Sequence, residues 1–329
     1  MIFFRTLRPS NRTASRVGVS LSPVKTLIPA LVLVVTWLVA SPSATAGTDP
    51  TREWFTLESE HFAVHSYDGG EALARRVASA AEDAKRIVDP LLGYSPKERV
   101  HIRLIDDVDG TNGYAWVTPY DTIVLYAHPP AMGSALSTYD DWMRLLVIHE
   151  YAHIVHLDHA SGFPEVVNEL FGKTLKPNQA LPRWFTEGVA TWVETKVTGG
   201  GRVGSTRFEM MLRTAALADR LPSLAGLAGE PLFLPRGTSW YLYGSLLIDH
   251  IAQETGAEAI RSFIRRYGRR AVGYSMNILA RQTLGKDFGA WHREVLEAVR
   301  ARARQTVARV EKLGRLEGRR LTKGGESRD

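Results

Sequence analysis

Strand-forming and helix-forming segments are separated along this chain, and this separation is the strongest constraint on its fold. Alternating or β-branched apolar runs typical of strands occur at 60–66, 100–105, 113–117 and 122–127. Apolar residues at helical spacing occur at 71–92, and then at 140–156, 184–196, 239–255, 258–267 and 287–315. A loop rich in Gly, Pro and Asn is predicted over 161–182. The order predicts an α+β protein in which a small N-terminal mixed sheet with one helix precedes a mainly helical subdomain.

The first 46 residues have the pattern of an export signal. They contain five basic residues and no acidic one, followed by an apolar run at 27–40 and by Ala44-Thr45-Ala46, which fits the small-x-small cleavage rule. The apolar run is shorter than the roughly 20 residues that a transmembrane helix needs. We expect a signal peptide over 1–46 and a mature chain that starts near Gly47 and is periplasmic or extracellular. An uncleaved anchor is the alternative.

The positive charge of the chain is concentrated at its two ends. The whole sequence carries a formal net charge of +6, and residues 293–329 hold 11 basic and 6 acidic residues. The stretch between the two basic ends is therefore mildly acidic, which argues against a nucleic-acid partner. We predict an N-terminal α/β subdomain over 47–139, a helical subdomain over 140–299, and a charged tail or linker over 300–329. After signal cleavage we expect no stable membrane span.

A metal-binding pattern lies on the helix predicted over 140–156. His149-Glu150-Tyr151-Ala152-His153 is an HExxH motif, and residues four apart on a helix share a face. Two imidazoles on one face suit Zn²⁺, and the adjacent Glu150 is placed to take a proton from a water. The chain has no cysteine, so its stability depends on a core and its metal ligands must be His, Asp or Glu.

A third ligand is needed, and two residues compete for that role. Glu187 lies on the next predicted helix, where Gly188 and Ala190 permit a close approach between helices. His159 has the spacing of the third histidine in metzincins, but His156 replaces the glycine that would turn the chain there, and 274–276 is only faintly similar to a Met-turn. We therefore favour Glu187.

Two further residues are candidates for supporting roles. His156 follows His149 by seven positions, so it either supports a ligand or closes the end of the helix. Glu194 follows Glu187 by the same interval, and it either orients a metal ligand or is an exposed helix charge.

Three motifs together resemble one group of enzymes. HEYAH at 149–153, LPRWFTEGVATWVE at 181–194 and SWYLYGSLLIDHI at 239–251 are similar to the gluzincin clan of zinc metallopeptidases, specifically its peptidase MA-like domains. The segments TNGYA at 111–115 and DTIVLY at 121–126 resemble exported bacterial members that carry this domain before a TolB-like β-propeller. The similarity covers roughly 58–295, and the chain itself shows no propeller repeats.

The resemblance implies a zincin-like fold with the active-site cleft between the sheet and the helices. It implies one Zn²⁺ per chain, bound by His149, His153 and Glu187, with Glu150 as general base. A downstream tyrosine would stabilise the oxyanion, and Tyr241 is the better positional match, ahead of Tyr243. The strand at 122–127 would form the edge of the cleft and align an extended peptide.

These observations predict an exported zinc metallopeptidase whose partner is a peptide or protein substrate. A catalytically silent zinc-binding scaffold and a zinc hydrolase of cell-wall peptides are the alternatives, and DNA binding through the tail at 300–329 is a third. The sequence indicates neither the oligomeric state nor the residue preferred at the cleavage site.

Overall fold

The computed structural model describes residues 51–132, 134, 136, 139–199, 202–271, 276–316 and 318–319, within the compact unit Asp49–Asp329. The predicted signal at 1–46 lies outside these residues. The strands are β1 Trp54–Glu58, β2 Phe62–Tyr67, β3 Val100–Ile105, β4 Gly113–Trp116 and β5 Thr122–Tyr126. The helices are α1 Glu71–Leu92, α2 Trp142–Asp158, α3 Phe163–Phe171, α4 Arg183–Thr198, α5 Thr206–Leu217, α6 Thr238–Thr255, α7 Ala257–Tyr267, α8 Met276–Leu284 and α9 Phe288–Lys312. The predicted α+β class is confirmed.

The five strands form one mixed sheet in the order β1-β2-β3-β5-β4. β2, β3 and β5 run parallel to one another, whereas β1 and β4 are antiparallel to their neighbours at the two edges. The prediction that the strand at 122–127 lines the cleft edge is wrong, because β5 lies between β3 and β4. The edge strand beside β5 is β4, which is short and contains Gly113.

β1 was not predicted from the sequence. Its residues alternate between exposed and half-buried positions, and none of them is fully buried. An edge strand of this kind lacks the apolar run by which the inner strands are recognised.

Helices α1 and α2 cover one face of the sheet. The side of α1 that faces the core is built largely from alanine and valine, and these small side chains allow close packing against the sheet and α2. Helix α2 is buried on nearly all sides, with 14 of its 17 residues buried. A helix surrounded in this way usually carries apolar residues on every side. The polar residues buried on it therefore need a specific partner or role.

The remaining helices pack behind α2. Helices α4 and α6 make the most extensive helix pair, α4 also contacts α2, and α9 packs on α5 and α6. Where α4 crosses α6, Gly188 faces Gly244, and a Cβ on Gly188 would lie 2.6 Å from the carbonyl carbon of Gly244. This close crossing agrees with the prediction that Gly188 permits a helix to approach.

One stretch differs from its predicted local structure. The predicted loop at 161–182 contains helix α3, which was missed because its apolar face is exposed and Gly, Pro and Asn surround it. Helix α9 agrees with the helix predicted over 287–315, and it extends into the first part of the charged segment 300–329. The domain boundaries themselves stay predictions. Among the described residues, no helix is long and apolar enough to cross a bilayer.

Candidate active site

Helix α2 presents both histidines of the HExxH motif to one point. The Nε2 atoms of His149 and His153 lie 3.4 Å and 3.2 Å from the same oxygen, Oε2 of Glu187 on α4. The three ligand atoms all lie within 4.8 Å of one another, and all three side chains are buried. The three residues therefore form a candidate metal site.

The donor set fits a divalent cation. Oε2 of Glu187 is buried and has no hydrogen-bond partner, although the two imidazoles surround it. Burial alone would raise the pKa of Glu187, but the neighbouring His153 and His149 outweigh it and hold that pKa well below its usual range. A buried, ionised carboxylate beside two imidazoles is the ligand set of zinc sites that keep one position open.

The orientation of His149 is fixed from its other side. Its Nδ1 lies 3.0 Å from Oε2 of Glu194, which is fully buried. A carboxylate at Nδ1 keeps the proton there and leaves the Nε2 lone pair for a metal. Of the two roles weighed for Glu194 from the sequence, the structure shows a contact to a ligand and no exposure.

Arg202 is a site residue that the sequence did not reveal. Its Nε and Nη2 lie 2.7 Å and 2.6 Å from the two oxygens of Glu194, and its Nη2 is 2.9 Å from Nδ1 of His149. Burial lowers the pKa of Arg202, yet Glu194 more than compensates and raises it. A lone arginine in a segment rich in glycine carries no motif, so only the fold identifies it.

Glu150 lies between the candidate metal ligands and the sheet. It is buried, and a Cβ on Gly113 of β4 would lie 3.0 Å from its Oε1. Burial raises the pKa of Glu150, and the nearby His149 and His153 offset this only in part. A carboxylate with a raised pKa is suited to accept and then release a proton near neutral pH. The glycine at 113 leaves room for this side chain.

The two candidate tyrosines occupy different environments. The ring of Tyr241 stacks on His149 with centroids 5.7 Å apart, and the Arg202 guanidinium lies 4.7 Å from the centre of the ring. Burial, then the charge of Glu187, raises the pKa of Tyr241, so its hydroxyl remains a donor. Tyr243 is buried in the hydrophobic core. Tyr241 thus borders the site, and its catalytic role stays a prediction.

His156 of α2 and His159 at the C-terminal end of this helix lie away from the candidate metal site. His159 stacks on Tyr94 with ring centroids 4.6 Å apart, and it is not part of the three-residue group. His156 is fully buried beside Phe185, and neither ring nitrogen has a hydrogen-bond partner. The structure therefore shows no contact between His156 and a ligand. The segment 274–276, weighed as a Met-turn, lies mostly outside the described residues.

The structure is similar to parts of several solved M1 zinc metallopeptidases. One from Deinococcus radiodurans is 16% identical, covers 75% of this chain and 51% of its own, and has a TM-score of 0.41. A two-domain M1 zinc metallopeptidase bound to L-arginine has 17% identity, the same coverages and a TM-score of 0.36. An aminopeptidase N family protein from Idiomarina loihiensis is 11% identical over 70% of this chain and 44% of its own, with a TM-score of 0.43.

The chain spans about half the length of these solved peptidases. No protein-family model and no curated protein sequence matches it. The predicted resemblance to gluzincin-clan zinc metallopeptidases is confirmed by the convergence of His149, His153 and Glu187. Its relation to proteins with a TolB-like propeller stays a prediction.

Proposed function

We propose that this chain is a zinc metallopeptidase of the gluzincin type. The observation that carries the proposal is the convergence of His149, His153 and Glu187 within 4.8 Å, beside the buried carboxylate of Glu150. A structural metal site needs a closed ligand set and no base, whereas three ligands with an adjacent carboxylate suit hydrolysis.

The residues of the site divide the chemistry among them. Zinc, when bound, polarises a carbonyl and lowers the pKa of a water molecule. Glu150 takes the proton from the attacking water and passes it to the leaving amine. Tyr241 donates a hydrogen bond to the oxygen on which negative charge develops. Glu194 accepts the Nδ1 proton of His149 and so holds the tautomer that the metal requires, and Arg202 holds Glu194 in place.

Strand β4 is the element on which we propose that the substrate aligns. It ends the sheet and pairs with β5 on its other side, and Gly113 at its start lies against Glu150. An extended peptide added to this edge would form main-chain hydrogen bonds and pass the base. The predicted alignment on the strand at 122–127 is replaced by alignment on β4.

We also propose that the enzyme acts outside the cytoplasm, in the periplasm or extracellular space. The support is the basic and apolar pattern of residues 1–46. A peptide or protein substrate is part of the same proposal, with one zinc ion per chain. A silent scaffold is the weaker candidate, because it has no use for a buried Glu150 beside the ligands.

A metal analysis combined with a peptide-library digest tests the proposal. The wild-type chain should contain about one zinc ion and cleave peptides, whereas Glu150→Gln should keep the metal and lose activity by about 10³-fold or more. Glu230→Gln, at an exposed position, is the matched control and should behave as wild type. Full activity in Glu150→Gln would refute the role of Glu150. Zinc without cleavage in the wild type would favour a scaffold, and cleavage of cell-wall peptides alone would favour that substrate class.

A further inference from the structure

Helix α3 exposes its apolar face to solvent. Phe163, Val166, Leu170 and Phe171 are 62%, 53%, 71% and 73% exposed. At 100° per residue these four positions fall within an arc of about 140°. Single exposed apolar residues are ordinary on a protein surface, but a contiguous set on one helix marks an interaction surface. We call these four residues the α3 face.

The acidic residues of α3 lie on the other side of the helix from the α3 face. Lys97 binds both of them, with its Nζ 2.9 Å from Glu165 and 2.9 Å from Glu169. These ion pairs are exposed, and the single lysine offsets only part of the charge of the two glutamates.

An arginine-rich segment adjoins the N-terminal end of α3. Residues 261–270 contain five arginines and no acidic residue. Ser161 donates to the Gly268 carbonyl at 3.1 Å, and Nε of Arg269 lies 3.4 Å from where a Cβ on Gly162 would be. Arg265 and Arg269 are both exposed, and the Arg265 guanidinium also lies 4.0 Å from Glu258. The α3 face therefore has guanidinium groups beside it.

We propose that the α3 face, with Arg265 and Arg269, docks on an anionic lipid bilayer. An apolar helix face inserts at the boundary between headgroups and acyl chains, while adjacent arginines bind the phosphates. Neither the apolar face nor the arginines would hold the protein on a bilayer alone, because the apolar and the electrostatic contributions to the binding free energy are both modest. This surface is separate from the candidate active site and does not depend on the proposed peptidase activity.

A second copy of the chain fits this surface less well. A helix of nine residues is only about 13 Å long, whereas a stable interface buries about 800 Å² on each partner. A two-fold dimer would also pair the same patch with itself, so both partners would bring the same positive charge to the interface. Charge therefore favours a negatively charged surface over self-association.

Vesicle co-sedimentation tests the proposal on the chain from Gly47 onward. Residues from Asp49 form a compact unit, and this chain lacks the apolar run at 27–40, which would bind bilayers by itself. Wild type should bind vesicles of phosphatidylcholine with about 30% phosphatidylglycerol, bind pure phosphatidylcholine more weakly, and release in high salt. Leu170→Gln/Phe171→Gln should lower the partition coefficient at least tenfold. Arg265→Gln/Arg269→Gln should lower it about thirtyfold.

Two control variants decide whether binding is local. Leu232→Gln removes an exposed apolar residue elsewhere, and Arg304→Gln/Arg309→Gln removes two exposed arginines of α9. Both should bind vesicles as wild type does. The proposal would be overturned if these controls lost as much vesicle binding as the test variants, or if the wild type did not bind vesicles. Dimerisation that disappears in Leu170→Gln/Phe171→Gln, without vesicle binding, would instead assign the α3 face to a protein interface.

Discussion

Gly188 of α4 and Gly244 of α6 face each other where the two helices cross, and neither position has room for a methyl group. A Cβ on Gly244 would overlap the carbonyl oxygen of Trp184. The crossing matters for the site because Glu187 adjoins Gly188, and Tyr241 lies three residues before Gly244. The two glycines thus set the distance between a metal ligand and the tyrosine beside it.

Adding one methyl group at this crossing should damage both stability and the site. We expect Gly188→Ala and Gly244→Ala each to destabilise the fold by about 1–3 kcal/mol, because backbone atoms would have to move apart. Thermal unfolding and zinc affinity measure the two effects. Gly110→Ala is the matched control, since nothing lies within 4 Å of the added Cβ. Unchanged melting and zinc affinity in both variants would show that the helices separate without cost.

The Arg202–Glu194 pair should support zinc binding through His149. Arg202→Met leaves the buried carboxylate of Glu194 without its guanidinium and should cost about 3–5 kcal/mol of stability. Arg202→Met/Glu194→Leu should recover stability but bind zinc about 10–100-fold more weakly, because His149 loses its orienting partner.

Calorimetric titration with zinc and chemical denaturation separate these two outcomes. Arg302→Met breaks an exposed ion pair with Glu209, 2.7 Å long, and should change stability by less than about 1 kcal/mol. If the double variant bound zinc as tightly as wild type, Glu194 would have no orienting role.

Tyr241 and Tyr243 should differ sharply in kinetics. Tyr241→Phe removes a hydroxyl at the edge of the site and should lower kcat about 10²–10³-fold with little change in KM. Tyr243→Phe should leave kcat near wild type, because that ring lies in the core. The two variants control for each other, and a larger loss of kcat in Tyr243→Phe would reverse the assignment.

His159 should govern stability in acid rather than metal binding. Burial, then Arg265, lowers its pKa from 6.5 to about 4. The unfolded chain takes up the proton first, so stability is complete above pH 6.5 and is lost as the pH falls from 6.5 towards about 4. His159→Phe keeps a ring against Tyr94 and should reduce this loss by up to about 3 kcal/mol.

Denaturation between pH 7 and pH 4 measures the effect of His159→Phe. His128→Phe, at an exposed histidine, is the control and should follow the wild-type curve. Zinc content should not change in His159→Phe, and loss of zinc would restore His159 as a ligand.

Local sequence patterns predicted the candidate site residues that lie on one helix. They did not predict a contact that depends on how distant segments of the chain meet. HExxH predicts two candidate ligands and a candidate base, because helical spacing alone places them together. Glu187 was found through its small neighbours, which point to a close helix crossing. Arg202 was missed because its contact with Glu194 depends on how the chain turns back after α4. The spacing of apolar residues in the sequence does not predict that turn.

The fold was predicted best where residues are buried. β2, β3, β5 and the helices α1, α2, α4, α6 and α7 carry clear apolar periodicity, and the structure places all of them near their predicted bounds. β1 and α3 were missed because their apolar residues are exposed or half-buried, which weakens the pattern. The edge position of β4 could not be predicted either, since strand order depends on contacts between distant segments.

The convergence of His153 and Glu187 has a consequence for the chain between them. An ion held by both residues would close residues 154–186 into a loop, much as a cross-link does, in a chain that has no cysteine. Helix α3 lies within that loop. Metal loading would therefore oppose local unfolding of the segment that carries the α3 face.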